Sequence, residues 1–234
     1  RFRGRNAWPK FQSFRPGYWP WKIDRREAAF LGHALAQACE VAMMVREEPG
    51  KLEQAADRDS YLLRVPKGRG QGLRWEEEVL KPPIPGSISL QIDMDPEALG
   101  SLHEMPLEKD EIELDFFMIP ASIGAKGERP ACAYLLLLVH GRTGNILGFE
   151  PMTADPDFDA MRGQIPSMVV WHLRELGYRP REISVQNELL FALLRTFTEK
   201  LGIRVKKKRS LKYLDMAKDA LIDQFEGGIA PFLI

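Results

Sequence analysis

Cysteine is scarce in this chain, and charge of either sign is not in excess. Only Cys39 and Cys132 occur in 234 residues, and 33 basic side chains balance 33 acidic ones to a formal net charge of zero. Two distant cysteines exclude a disulfide framework and supply too few thiolates for a cysteine-built zinc site. Both are expected as buried thiols in a reducing, cytoplasmic setting. The zero balance removes the global field that draws a protein to nucleic acid or an anionic membrane, so a charged partner has to be met by a local patch. No uninterrupted apolar run approaches the roughly 18 residues of a membrane span. The longest, Ala131 to Val139, suits a buried strand. The N-terminus, Arg1 to Lys10, lacks the apolar centre of a secretory signal.

What is present reads as mixed α and β structure. Residues 1–23 are extended, because Pro9, Pro16 and Pro20 oppose helix, and their six aromatics beginning at Trp8 need burial. Asp24 stands three residues before Glu27, the spacing of a capping box. A helix follows whose apolar positions Phe30, Leu31, Ala34, Leu35, Ala38, Val41, Ala42 and Val45 recur at three and four residues, which predicts an amphipathic, core-facing stripe. Strands are expected at Tyr61–Val65, Trp75–Leu80, Ser87–Ile92 and Glu111–Ile119, with a short helix over Pro96–His103.

The segment Ala125–Pro130 has linker composition, which suggests an N-terminal α+β domain over residues 1–123 and a second domain over 124–234. In the second, strands at Ala131–Val139 and Asn145–Met152 flank the turn Arg142-Thr143-Gly144. A helix with Pro166 in its first turn and Gly177 at its C-cap, a strand at Glu182–Val185, a helix ending at Gly202 and a strand at Ile203–Lys206 complete the order hairpin, α, β, α, β. Ser210 is placed to cap a last helix through Phe225. Crossovers of this kind build a mixed sheet with helices packed on it.

The segments YLLLLVHGRTGNILGFEPM and LGYRPREISVQNELLFALLRTFTEKLGI resemble a bacterial family of uncharacterised proteins classed as a domain of unknown function. FRPGYWPWKIDRREAAFLGHALAQACEVA resembles a second such family that often precedes the first. No activity comes with either resemblance. The element order of the C-terminal half is also similar to the RNase-H-like fold of integrases and transposases, which implies carboxylates on the first strand and near the end of the strand between the two helices. With Ala131–Val139 as the first strand, His140 stands where an acid is wanted, and Gln186-Asn187-Glu188 leaves one carboxylate.

Candidate chemistry is correspondingly thin. A metal reading requires Glu150, Glu188 and one of Asp155, Asp157 or Asp159 to converge, and nothing in their spacing makes them do so. Asp215, Asp219 and Asp223 recur every four residues, but Lys212 and Lys218 lie within reach for intrahelical pairs, so a solvated charge row is the simpler reading. His33, His103, His140 and His172 lack the close pair spacings of metal ligands. Cys132 sits in no nucleophile motif, and Gly68-Arg69-Gly70-Gln71-Gly72 lacks the Lys-Ser or Lys-Thr ending of a phosphate loop.

Lys206, Lys207, Lys208 and Arg209 could neutralise phosphates, together with the basic arm residues Arg1, Arg3, Arg5, Lys10 and Arg15, while Trp19 and Trp21, with Trp8, could stack on single-stranded bases. The competing reading is that the tryptophans anchor the arm and the lysines solvate a strand. The expectation is a non-catalytic binding or interaction module without a cofactor. Its partner would be a protein or a nucleic acid and not a membrane, with a divergent nucleic-acid-processing enzyme as the alternative.

Overall fold

A computed structural model describes residues 9–50, 59–68, 70, 73–84 and 90–226. The arm residues Arg1, Arg3, Arg5 and Trp8 lie outside that range, as do Arg69, Gln71, Gly72 and the start of the strand expected at Ser87. Leu90–Ile92, the remainder of that expected strand, are not extended into a sheet. The chain divides into two compact units, one of residues 1–13 and 22–88, the other of residues 14–21 and 89–234.

Two-residue strands β1 (Gln12–Ser13) and β2 (Trp21–Lys22), at which the division between units falls, precede helix α1 (Arg25–Glu47) of the first unit. The capping box forms as the spacing predicts. Asp24 accepts the Glu27 backbone N–H at 2.8 Å, and the Glu27 side chain accepts the Asp24 N–H at 2.8 Å. Strands β3 (Tyr61–Lys67) and β4 (Arg74–Leu80) pair antiparallel. Arg64 ties them to α1, donating to Gln37, Glu40 and Glu77 at 3.0 Å each.

The stripe on α1 is not core-facing. Gln37 is the one buried residue of the helix, and Phe30, Ala34, Leu35, Ala38 and Ala42 are exposed. Cys39 is exposed as well, against the expectation of a buried thiol. The reason is that one two-stranded hairpin covers one side of a helix that is apolar on more than one side. By length and composition, though no single run is long enough, α1 also meets what a membrane-crossing helix requires.

The first helix of the second unit is α2 (Pro96–Glu104), where Asp95 caps and Pro96 occupies the first turn. Five strands follow: β5 (Leu107–Ile123), β6 (Ala131–His140), β7 (Ile146–Met152), β8 (Arg179–Val185) and β9 (Arg204–Lys207). They make one sheet in the order β7-β6-β5-β8-β9, antiparallel across β7, β6 and β5 and parallel across β5, β8 and β9. The expected boundary between residues 123 and 124 falls in the turn between β5 and β6, inside this unit. β5 is the central strand.

Helix α3 (Phe158–Leu176) links β7 to β8, and α4 (Glu188–Leu193) and α5 (Arg195–Leu201) link β8 to β9. α3 starts eight residues before Pro166, because Asp157 accepts the N–H groups of Asp159 and Ala160 and opens the helix there. Pro166 therefore lies in the helix interior. The helix expected up to Gly202 is two short helices meeting at Leu194. Even-numbered β5 residues Ile112, Leu114 and Phe116 pack with Met161, Ile165, Val169, Leu190 and Phe197 in the main core. α6 (Lys212–Glu226) covers the opposite face, where Leu137 and Val139 meet Leu211 and Leu214. Burial of each such leucine contributes about 1.5–3 kcal/mol by transfer from water.

Candidate functional site: a lysine-closed acidic face

Period-two alternation along β5 sends Glu111, Glu113 and Asp115 to the α6 side and Ile112 and Leu114 to the main core. Parallel pairing sets Glu111 beside Glu182 and Glu113 beside Ser184, and the next pairing sets Glu182 beside Arg204 and Ser184 beside Lys206. One half of the sheet face thus carries four carboxylates on two adjacent strands.

Each carboxylate is engaged from within the chain. Lys208 bonds Glu111 and lies 3.5 Å from Glu182. Lys206 reaches Glu182 at 2.7 Å, with Arg204 at 3.7 Å, and Ser184 donates to Glu111 at 2.9 Å. Asp115 takes Lys218 of α6 at 2.6 Å, and that ammonium also sits 4.4 Å over the Phe117 ring. Glu113 accepts the Leu214 N–H at 2.7 Å.

The ionisation of these groups follows from their surroundings. Burial pushes Glu182 upward, but Lys206 and Lys208 outweigh it and hold the carboxyl below its ordinary value. Burial pulls Lys208 down, and its bonds to Glu111 and Glu182 more than reverse that, keeping the ammonium charged. Glu113 moves the other way: burial raises it despite two backbone N–H bonds, because no cation is in direct contact.

Divalent cations need several oxygens free to converge on one point. Here the ammonium of Lys208 stands between the two best-placed carboxylates, Asp115 is turned to Lys218, and Glu113 holds a helix terminus. Among the described residues no three His, Cys, Asp or Glu side chains are disposed to share an ion. The acids on this face do not fit a bound metal.

The residues singled out from sequence are distributed elsewhere. Glu150 lies on β7, the edge strand, while Glu188 follows β8 three strands away, about 14 Å at the usual spacing. The two are not brought together. Asp157 caps α3, and Asp159 pairs with Arg162 at 3.5 Å. Asp215 accepts from Leu211 N–H and Ser210 at 3.3 Å, so Ser210 closes the start of α6 through that aspartate. Asp219 and Asp223 are exposed. Lys218 crosses to Asp115 instead of pairing along its own helix.

Lys207 pairs with Glu188, and Lys206 and Lys208 are committed to the acids described above. Arg209 is exposed. Trp19 is half-buried and donates its indole N–H to the Ala121 carbonyl at 3.3 Å, while its backbone N–H bonds Pro130. Trp21 is half-buried in β2. Burial raises the Cys132 thiol, as suits a core position. His103 bonds the Lys200 carbonyl, His33 lies against Trp75, and His140 accepts from the Thr143 N–H in the β6–β7 turn. With Ala131–Val139 as the first strand, the acid row on β5 falls outside the sites that the RNase-H-like resemblance points to. The alternation Glu-Ile-Glu-Leu-Asp-Phe over residues 111–116 is the sequence signal for that row.

No curated protein matches the chain. Residues 1–64 match the family model described as Domain of unknown function (DUF7309). Residues 99–222, which hold the five-stranded sheet, the acidic face and most of α6, match the model described as Domain of unknown function (DUF6930), and this chain belongs to that family.

Proposed function

We propose that the chain is a non-catalytic interaction module, its second unit an RNase-H-like scaffold whose acidic face is closed by its own lysines. The strand order, the crossovers and the last helix on the opposite face support the RNase-H-like reading. The observation that carries the functional reading is Lys208 lodged between Glu111 and Glu182. A carboxylate pair holding an internal ammonium performs a structural task and offers no open coordination position. The test is incubation of the full chain with labelled single- and double-stranded DNA and RNA in Mg²⁺ and Mn²⁺. No metal-dependent cleavage is expected.

A second reading, a divergent nucleic-acid-processing enzyme, has one observation in its favour: Glu111, Glu113 and Asp115 of the central strand and Glu182 of its neighbour share a face. It predicts metal-dependent cleavage that disappears in Glu113→Gln. That result would replace the first reading.

A further inference from the structure

A cavity between α1 and the β3–β4 hairpin has all its lining residues in the first unit. Helical spacing puts Phe30, His33, Ala34 and Gln37 on one stripe of α1, at i, i+3, i+4 and i+7. The pairing of β3 with β4 sets Pro66 opposite Trp75 and Arg64 opposite Glu77, and period-two alternation puts these four on one face of the hairpin. Arg64 ties that face to the helix through its bonds to Gln37 and Glu40. Stripe and hairpin bound a volume of about 550 Å³. Proteins hold small organic molecules in clefts of about 300–1,000 Å³.

Three features of the lining select an occupant. First, flat rings form the walls: Phe30, Trp75 and His33, the last two with centroids 6.0 Å apart and planes inclined at 51°. Such walls favour a planar ring, held by offset or edge contacts. Second, no charge is left to recruit an ion. Arg64, the one Lys or Arg of the lining, donates to Gln37, Glu77 and Glu40 at 3.0 Å each, so two carboxylates already balance its guanidinium. Third, Gln37 supplies a directed donor. It is 7% exposed, and because the Arg64 Nε–H can only donate, their bond fixes Oε1 as the acceptor. The amide NH2, without a partner among the described residues, is left at the cavity. A donor so placed costs stability until an acceptor meets it.

We propose that this cavity binds a neutral, planar heteroaromatic small molecule whose ring nitrogen or carbonyl accepts a hydrogen bond from the Gln37 amide. The proposal stands on the first unit and is independent of the reading of the acidic face.

The test is a ligand-observed NMR saturation-transfer titration of the full chain at neutral pH with quinoline and naphthalene, bicycles of the same shape of which only quinoline carries an acceptor. Both should receive saturation, quinoline with a dissociation constant about 2- to 10-fold lower, the range one hydrogen bond supplies. Ala34→Phe fills the cavity from the helix side and should abolish transfer to both probes. Phe30→Ala removes one wall and should weaken both, and it decides the matter if Ala34→Phe lacks the parent circular dichroism spectrum. Gln37→Glu keeps an acceptor for Arg64 but has no donor, so the preference for quinoline should vanish while naphthalene still binds. No transfer to either probe at millimolar concentration in the parent overturns the proposal. So does transfer that Ala34→Phe and Phe30→Ala leave unchanged, since the probes then sit elsewhere on the chain. Equal affinity for the two probes in the parent, or a preference that survives Gln37→Glu, overturns the assigned ligand class.

Discussion

Glu113, on the central strand, accepts the backbone N–H of Leu214 at 2.7 Å and so caps a helix about a hundred residues later in the chain. The carboxylate is 6% exposed and held above its ordinary value by burial. Glu113→Ala removes the cap and leaves a buried N–H unpaired, a loss of about 1–3 kcal/mol in chemical denaturation. Glu113→Gln keeps an acceptor without the charge and is expected near parent stability. A raised carboxyl binds its proton more tightly in the folded state. The parent therefore gains stability relative to Glu113→Gln as pH falls from 7 through the folded pKa toward 4.5, and the difference is constant below that.

Lys208 separates Glu111 and Glu182, which face each other in register across β5 and β8. Lys208→Met leaves two carboxylates side by side. Because the lysine side chain is 35% exposed, solvent screens part of the repulsion, and a loss of about 1–2 kcal/mol is expected instead of the larger value for a sealed pair. Adding Glu182→Gln should recover most of it, which a double-mutant cycle measures directly. Glu182 is held below its ordinary value, so its contribution is present above about pH 4.5 and fades as pH falls through its folded pKa. A cycle with no coupling at neutral pH would mean that the lysine leaves the pair in solution.

Local rules were legible wherever a few neighbouring residues decide the outcome. The Asp24 and Glu27 box, the turn at Arg142-Thr143-Gly144 and the strands on either side follow from short-range spacing alone. Sheet order does not. Nothing near Glu111 in sequence shows that its strand is central, because that place depends on parallel pairing with β8 some seventy residues on. Periodicity also failed to distinguish a buried stripe from an exposed one on α1, since the pattern records apolar positions and not what covers them. Nothing near the basic run in sequence shows that Lys206, Lys207 and Lys208 are paired, because their counter-charges Glu182, Glu188 and Glu111 lie on other elements.

His172 is 6% exposed, its Nε2 has no hydrogen-bond partner, and the backbone of Gly148 lies against its ring. A Cβ at Gly148 would come within 2.4 Å of Nδ1, so Gly148→Ala is expected to cost about 1–3 kcal/mol by overpacking. Burial holds the imidazole below its ordinary value, with Glu175 opposing weakly. Protonation is therefore easier in the unfolded chain. Stability from this site is complete above about pH 6.5 and declines as pH falls from there toward the folded pKa. His172→Leu should remove that part of the pH dependence, and thermal melts of both proteins between pH 5 and pH 8, at about one-unit steps across the histidine range, check it.

Trp19 and the β9 lysines decide whether nucleic acid is a partner. The indole N–H is committed to Ala121, and Gly17 lies so close to Ala154 that a Cβ would come within 2.3 Å, which fixes the arm on the second unit. Lys206, Lys207 and Lys208 already have carboxylate partners, so a phosphate would have to displace Glu182, Glu188 and Glu111 in turn. Trp19→Phe is expected to lower stability by about 1 kcal/mol through the lost hydrogen bond. Oligonucleotide binding at low salt should be weak and unchanged by Lys207→Ala. Tight binding whose salt slope falls by about one on Lys207→Ala would instead place a phosphate at that lysine and release Glu188 from its structural role.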